Sequence, residues 1–320
     1  VKSVLAGGSG QIGAVLARAF RAGGDDVVVL SRGASCLATD LRVVPWDGRT
    51  LGAWAREVDG ADIVVNLAGR TVNCRYSEAN LRAMLCSRVE STRVVGEAIA
   101  AAVRPPRVWL QSSTATLYAH RFDAPSDERT GILGGSEPGV PQHWARSVAI
   151  ATRWEETLFA AATPRTRRVA LRSALTLSPD KGGIFDTLLG LVRKGIGGTC
   201  GNGRHWVSWI HEADFARALR FLIERDDLDG AANICAPKAA PYRDFMRELH
   251  RAWGMPIGLP APALLLELGA VFLRTETELV LKIRHVVPSR LLAAGFAFEH
   301  PEWPAAARDL CARVRRNGGA

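Results

Sequence analysis

The stretch Val4-Leu5-Ala6-Gly7-Gly8-Ser9-Gly10-Gln11-Ile12-Gly13 constrains the fold more than any other part of the 320-residue chain. An apolar run ends in glycines and passes at once into a helix-like pattern. That is a strand, a tight turn and a helix N-terminus. Gly8, Gly10 and Gly13 satisfy G-x-G-x-x-G, and Gly7, Gly10 and Gly13 satisfy the longer G-x-x-G-x-x-G. Either spacing lets the backbone turn sharply and approach a pyrophosphate, with the first helical N–H groups pointing at its charge. The alternative is a plain glycine-rich turn. The position, directly after a strand and opening an α/β pattern, favours a dinucleotide site over Gly7, Ser9, Gly10, Gln11, Ile12 and Gly13.

The remaining chain supports that reading. A helix is expected over Gln11 to Ala22, with Ile12, Val15, Leu16, Ala19 and Phe20 on one face and Gly23-Gly24 as its stop. Val27 to Leu30 is wholly apolar, as a buried parallel strand should be. Further strands are expected at Arg42 to Trp46, Asp62 to Leu67, Val108 to Ser112, Arg168 to Arg172 and Ala231 to Cys235. Helices are expected at about Glu78 to Val103, Trp144 to Ala162 and Glu212 to Ile223. The alternation predicts a Rossmann-type doubly wound parallel sheet in an α/β protein. Ligands of such sheets bind beyond the carboxyl ends of the strands, where Ser31-Arg32, Asn66 to Gly69 and Ser112 to Thr114 should converge. After about Asp180 glycines punctuate the chain and an aromatic segment, Trp206 to Trp209, follows. Helices broken by Pro256, Pro260 and Pro262, and a last helix from about Pro304, predict a small, mainly helical C-terminal domain on the substrate side. The expected division is 1–239 and 240–320.

Composition narrows the partners. The net charge of +9 is mostly scattered arginine, and neither Arg165 to Arg168 nor Arg313 to Arg316 has aromatics interleaved. A solvated basic face suited to an anionic cofactor is expected, and no nucleic acid. The run Leu259 to Leu273 contains Pro260, Pro262 and Glu267, so no membrane span is expected, and no signal peptide is seen. The cysteines Cys36, Cys74, Cys86, Cys200, Cys235 and Cys311 form no C-x-x-C pair. That predicts no metal site and fits a reducing, cytoplasmic setting.

An NAD site usually carries an acid at the end of its second strand. Here that strand ends Leu30-Ser31-Arg32, and the next acid is Asp40. Arg32 offers a charge-assisted fork and Ser31 a hydroxyl for a 2′-phosphate, which points to NADP.

These motifs resemble the extended short-chain dehydrogenases/reductases. Asn66-Leu67-Ala68-Gly69 looks like their N-x-A-G element, and Ser112 to Tyr118 like the segment carrying a catalytic Ser or Thr, here Thr114. Two later segments, Gly201 to Asp214 and Val287 to Phe298, are similar to an atypical "epimerase family" subgroup that ends in a small domain of unknown function. The superfamily uses Tyr-x-x-x-Lys on a helix; the Lys lowers the Tyr pKa and binds the nicotinamide ribose. Counting back from Trp154-Glu155 puts Ser147 at the Tyr position and Ala151 at the Lys position, and no Lys lies between Lys2 and Lys181. The resembled subgroup lacks the dyad as well.

Two functional readings follow. The first is an NADP-dependent oxidoreductase or epimerase acting on a sugar-nucleotide-like or other small carbonyl or hydroxyl substrate. Its catalytic candidates are Thr114 and Tyr118, with Arg204, His205 and Trp206 as substrate-binding residues. His205 and His211 are further acid/base candidates, although His211 reads better as a hydrogen-bonder at a helix start, and core packing explains Trp206 or Trp209 alone. The second reading is a non-catalytic NADP-binding redox sensor or interaction protein. By fold analogy the helices at 78–103 and 144–162 could pair in a homodimer.

Overall fold

A computed structural model describes residues 1–33, 41–195, 197–199, 202–255, 258 and 285–318. Cys36, Cys200 and the proline-broken helices around Pro256 to Pro262 lie outside the described residues.

The central sheet has seven parallel strands. They are β1 (Lys2–Ala6), β2 (Asp26–Ser31), β3 (Arg42–Pro45), β4 (Ile63–Asn66), β5 (Val108–Thr114), β6 (Arg167–Ser173) and, later in the chain, β10 (Gly230–Ile234). Their spatial order is β3-β2-β1-β4-β5-β6-β10, so the winding reverses between β1 and β4. That reversal opens a crevice at the carboxyl ends. Register places Ala6 opposite both Leu30 and Asn66, and Asn66 opposite Gln111, so the ends of β2, β1, β4 and β5 form one row.

Alternation along each strand divides the core between the two faces. Leu5, Val27, Val29, Ile63 and Val65 pack with Leu16 and Phe20 of α1 (Gln11–Ala22) and with Leu219 and Leu222 of α5 (Glu212–Glu224). Val4, Ala6, Val28, Leu30 and Val64 face the other way, toward Val95 and Ile99 of α2 (Glu78–Ala101) and Leu158 of α3 (Gln142–Phe159). Both faces are covered, which is why these strands read as unbroken apolar runs.

A second core joins three helices to two short strands. Phe185, Leu189 and Val192 come from α4 (Ile184–Arg193), Phe245, Met246 and Leu249 from α6 (Tyr242–Trp253), and Trp303, Ala307 and Leu310 from the last helix, α8 (Trp303–Gly318). Val207 and Trp209 enter it from β8 (Trp206–Val207) and β9 (Trp209–His211). This core therefore draws on both sides of residue 240. Helix α4, and the pairings β7–β9 (Leu175–Leu177 with Trp209–His211) and β8–β11 (Trp206–Val207 with Ala240–Pro241), add structure where only glycine punctuation and aromatics were read. A short helix, α7 (Ser289–Ala293), packs beside β10. Among the described residues no helix is long and apolar enough to cross a membrane.

A buried polar chain ties β5, α3, β6 and β10 together. Ser113 Oγ donates to Glu155 at 2.5 Å, and Arg172 forks onto the same carboxylate through Nε and Nη2 at 2.9 and 2.8 Å. Arg172 Nη1 donates to the Tyr118 hydroxyl at 3.0 Å, which in turn donates to Asn233 Oδ1 at 2.9 Å. Removing one partner of a buried pair strands the other charge. Glu155→Ala is expected to cost about 3 kcal/mol of unfolding free energy. Urea unfolding of that variant and of Glu155→Leu/Arg172→Met checks this, the double variant regaining much of the loss because no charge is left unpaired.

Candidate cofactor and active site

The turn after β1 owes its shape to close backbone packing. Gly7 has φ 71°, and a Cβ there would lie 2.7 Å from the Ala68 Cα. A Cβ on Gly13 would lie 2.0 Å from the Gly8 carbonyl oxygen. Only glycine lets α1 start against this turn and the turn lie against the end of β4. The second contact is held from below. Asn66 is fully buried; its Nδ2 donates to Gln111 Oε1 at 3.0 Å and its Oδ1 accepts from the Ala68 N–H at 3.0 Å. Leu67 N–H donates to Ala6 O at 2.8 Å. Asn66 thus shapes the loop from Leu67 to Gly69 through its amide.

Three observations fit a dinucleotide at this turn. A Cβ on Gly10 would meet nothing within 4 Å, so the surface above it is open. Helix α1 has no side-chain cap and no acid in its first turn, which leaves its N–H groups for an anion. Gln11 Nε2 is buried without a hydrogen-bond partner. The amide of Gln11 lies against Gly183, the residue that caps α4, where a Cβ would meet Nε2 at 1.9 Å. Ser9 is exposed, and Ile12 packs against the core. At the end of β2, Ser31 Oγ donates to Gly33 O at 3.0 Å and Arg32 is exposed.

The other predicted residues occupy different surroundings. Thr114 ends β5, three residues beyond the aligned Gln111; its hydroxyl accepts from the Thr116 N–H at 3.1 Å. Tyr118 is 3% exposed, its hydroxyl is held by Arg172 and Asn233, and burial raises its pKa. Arg204 is exposed, His205 is buried and stacked on Tyr242 with centroids 4.7 Å apart, and Trp206 stacks on His285 at 4.1 Å and 11°. This trio connects to the β5 end indirectly: Val286 N–H donates to Ser208 Oγ, and Asn233, the partner of Tyr118, donates to Val287 O at 2.9 Å. Ser147 donates to Trp144 O at 2.9 Å, and Ala151 is buried on the same helix.

The sequence reading passed over Arg88. On α2 it falls on the stripe Leu81, Met84, Ser91 and Val95, at a position where an apolar residue belongs. Its Nη1 donates to Met84 O at 3.1 Å and Arg70 O at 3.2 Å, and its Cζ lies 5.0 Å from the Trp154 ring centroid. Among the described residues no carboxylate pairs with it. Burial pulls its pKa down to about 10, so it stays charged at neutral pH. A charge on an apolar helix stripe was the signal available.

This geometry agrees with what related sequences show. The sequence model of the NAD dependent epimerase/dehydratase family matches residues 3–235. The chain belongs to that family. A second model, of a domain of unknown function, matches residues 261–310, so the resemblance to the atypical extended members holds at both ends. Within the family, epimerase family protein SDR39U1 of Bos taurus is 32% identical over 318 residues, covering 98% of this chain and 100% of that protein. An epimerase family protein of Staphylococcus epidermidis is 30% identical over 308 residues, covering 96% of this chain and 98% of its own length. The structure of human epimerase family protein SDR39U1 with NADPH aligns at TM-score 0.84 and 28% identity, covering 98% of this chain and 99% of that one. UDP-N-acetylglucosamine 4-epimerase of Bacillus cereus shares the fold, at TM-score 0.74 and 15% identity.

His211 serves as a helix cap. Its Nδ1 accepts from the Ala213 N–H at 3.1 Å, which leaves the proton on Nε2, 3.2 Å from Asp309 Oδ2. With His300 and Asp309 its ligand atoms fall within 4.8 Å. The two imidazoles are stacked at 3.8 Å and 26°, so their lone pairs lie in separate planes and share no coordination point. Burial, and then His300, push the His211 pKa from 6.5 down to about 4. The unfolded chain therefore binds a proton there that the folded chain refuses. The stability tied to neutral His211 is whole above about 6.5 and is lost as pH falls toward 4. Against His211→Asn, which keeps a cap, the wild type should lose up to about 1.4 kcal/mol more per pH unit in this window. Denaturant unfolding of both proteins across the window measures the difference.

Proposed function

We propose that the chain is an NADP(H)-dependent oxidoreductase or epimerase for a small carbonyl or hydroxyl substrate of sugar-nucleotide type, working without Tyr-x-x-x-Lys. The observation that carries the cofactor choice is the end of β2, where Ser31 and an exposed Arg32 stand and the next acid in the sequence is Asp40. An acid at that place would repel a 2′-phosphate, whereas a guanidinium forks onto it. The bound nicotinamide supplies hydride chemistry. The N–H groups of Gln11 and Ile12 would hold the pyrophosphate, and the loop from Leu67 to Gly69 the ribose side.

For the substrate, Thr114 is the group we assign to the reacting oxygen. Its hydroxyl already accepts one hydrogen bond and keeps its own proton to donate. Tyr118 would have to break its bonds to Arg172 and Asn233 to reach a ligand, so in this reading it stabilises the wall behind Thr114. Arg204, His205 and Trp206 with its stacked partner His285 would line the distal part of the cleft, where stacked rings suit a base or sugar face. A homodimer through α2 and α3 belongs to the same reading by analogy of fold, and sedimentation velocity tests it.

The second reading, a non-catalytic NADP(H) sensor, is favoured by one observation: neither Ser147 nor Ala151 can do the work of the dyad. Following nicotinamide absorbance across a panel of carbonyl compounds and sugar nucleotides separates the two. Turnover that falls about a hundredfold in Thr114→Val with NADPH affinity unchanged fits the enzyme. Tight binding with no turnover across the panel fits the sensor. For the cofactor, Arg32→Ala is expected to weaken NADPH binding about tenfold or more and leave NADH unchanged, since one charge-assisted fork is lost. Titration of nicotinamide fluorescence reads both constants, and an intact NADPH preference would count against the assignment.

A further inference from the structure

The face of α3 that lacks a lysine is supplied with a cation from another helix. Ala151, at the position read for the lysine, precedes Trp154 by three residues, so the two side chains are neighbours on one face of α3. The Arg88 guanidinium lies over that same Trp154 ring, with Cζ 5.0 Å from its centroid. It also abuts the end of the cofactor loop: a Cβ on Gly69 would lie 3.4 Å from Arg88 Cζ. One positive group thus stands between the loop after β4 and the face of α3 that carries Ala151 and Trp154. Its anchoring is incomplete in a telling way. Nη1 serves two backbone carbonyls, Met84 O and Arg70 O, and among the described residues no carboxylate neutralises the charge. Those carbonyls fix the guanidinium plane and leave Nε and Nη2 as donors.

We propose that Arg88 binds the nicotinamide-side ribose of the dinucleotide, doing from α2 what a lysine at position 151 would do from α3. The inference rests on the dinucleotide reading of the Gly7–Gly13 turn and adds a residue to it. Two guanidinium donors meet the two ribose hydroxyls, and Ala151, with no side chain beyond Cβ, leaves the room. The carbonyls of Met84 and Arg70 keep the side chain from turning to solvent when the site is empty.

The test uses two ligands that differ in the half of the dinucleotide they carry. NADPH contains the nicotinamide ribose; 2′,5′-ADP has only the phosphorylated adenosine half. Both are titrated into the wild type, Arg88→Gln and Arg88→Lys, by nicotinamide fluorescence and calorimetry, with NADH as a further ligand for the wild type. Arg88→Gln is expected to weaken NADPH about tenfold or more, the loss of a charged hydrogen-bonding group. Arg88→Lys should recover part of that loss, and 2′,5′-ADP should bind all three proteins alike, which also shows that the variants are folded. NADPH binding to Arg88→Gln within about twofold of wild type, or an equal loss of NADPH and 2′,5′-ADP, would overturn the proposal while leaving the cofactor reading intact. Failure of the wild type to bind NADPH or NADH would overturn both.

Discussion

The contact on which this molecule depends is the one between the start of α1 and the turn before it. The Gly13 Cα sits so close to the Gly8 carbonyl that any side chain there would displace the helix. The displacement would carry the N-terminal N–H groups away from the strand ends, and with them the partial positive charge that holds an anion. The neighbouring contact, Gly7 on Ala68, passes this constraint to β4, and the buried Asn66 passes it on to Gln111 of β5. The cradle is therefore a property of packed backbone, formed before any ligand arrives. Preorganisation of this kind lowers the ordering cost of binding.

A second constraint keeps α3 in place. A buried carboxylate is expensive, and Glu155 is compensated by a two-point fork from Arg172 and a short bond from Ser113. The fork joins α3 to β6, and the serine joins it to β5. Trp154, the residue before Glu155, donates from Nε1 to Thr92 at 3.0 Å and so joins α3 to α2. The helix is thus pinned from three sides. The charge that Ala151 forgoes stands one helix away, on Arg88.

How much could be read in advance follows from how each element is specified. The strands β1, β2, β4 and β5 each carry an unbroken apolar run, Val4–Ala6, Val27–Leu30, Ile63–Val65 and Val108–Leu110, because both faces of the sheet are covered, and α1 is bounded by glycines at each end. Such elements announce themselves. Helix α4 did not, because the glycines around it read as loop. Gly182, at φ 80°, makes the turn and Gly183 is the cap, while Phe185, Leu189 and Val192 form the buried stripe. Strands of two or three residues, such as β8 and β9, are too short to show a period of two. The close backbone packing of Gly7 and Gly13 was legible, since glycine spacing encodes it. Asn66 and Tyr118 stand out in the sequence, but their hydrogen-bond partners Gln111 and Arg172 are distant in the chain and had no signal there, and Arg88 showed only as a charge on an apolar stripe of α2.

The C-terminal helix is tied to the cofactor cradle more firmly than a separate small domain would require. Glu212 is buried at the start of α5 and receives Arg313 of α8 on one oxygen and Arg18 of α1, at 3.4 Å, on the other. Arg18 also reaches Asp180 at 2.7 Å, in the loop that leads to the cap of α4. Asp214 accepts from the N–H groups of Glu299 and His300, fastening the chain that enters α8. A swing of α8 away from the sheet would leave Glu212 short of a cation in a dry place, at a cost of several kcal/mol. The same carboxylate steadies α1, whose first turn is the one we assign to the phosphate, and the loop whose glycine rests on Gln11. Helices α1 and α8 thus share one buried charge at the start of α5, and a movement of either is felt by the other.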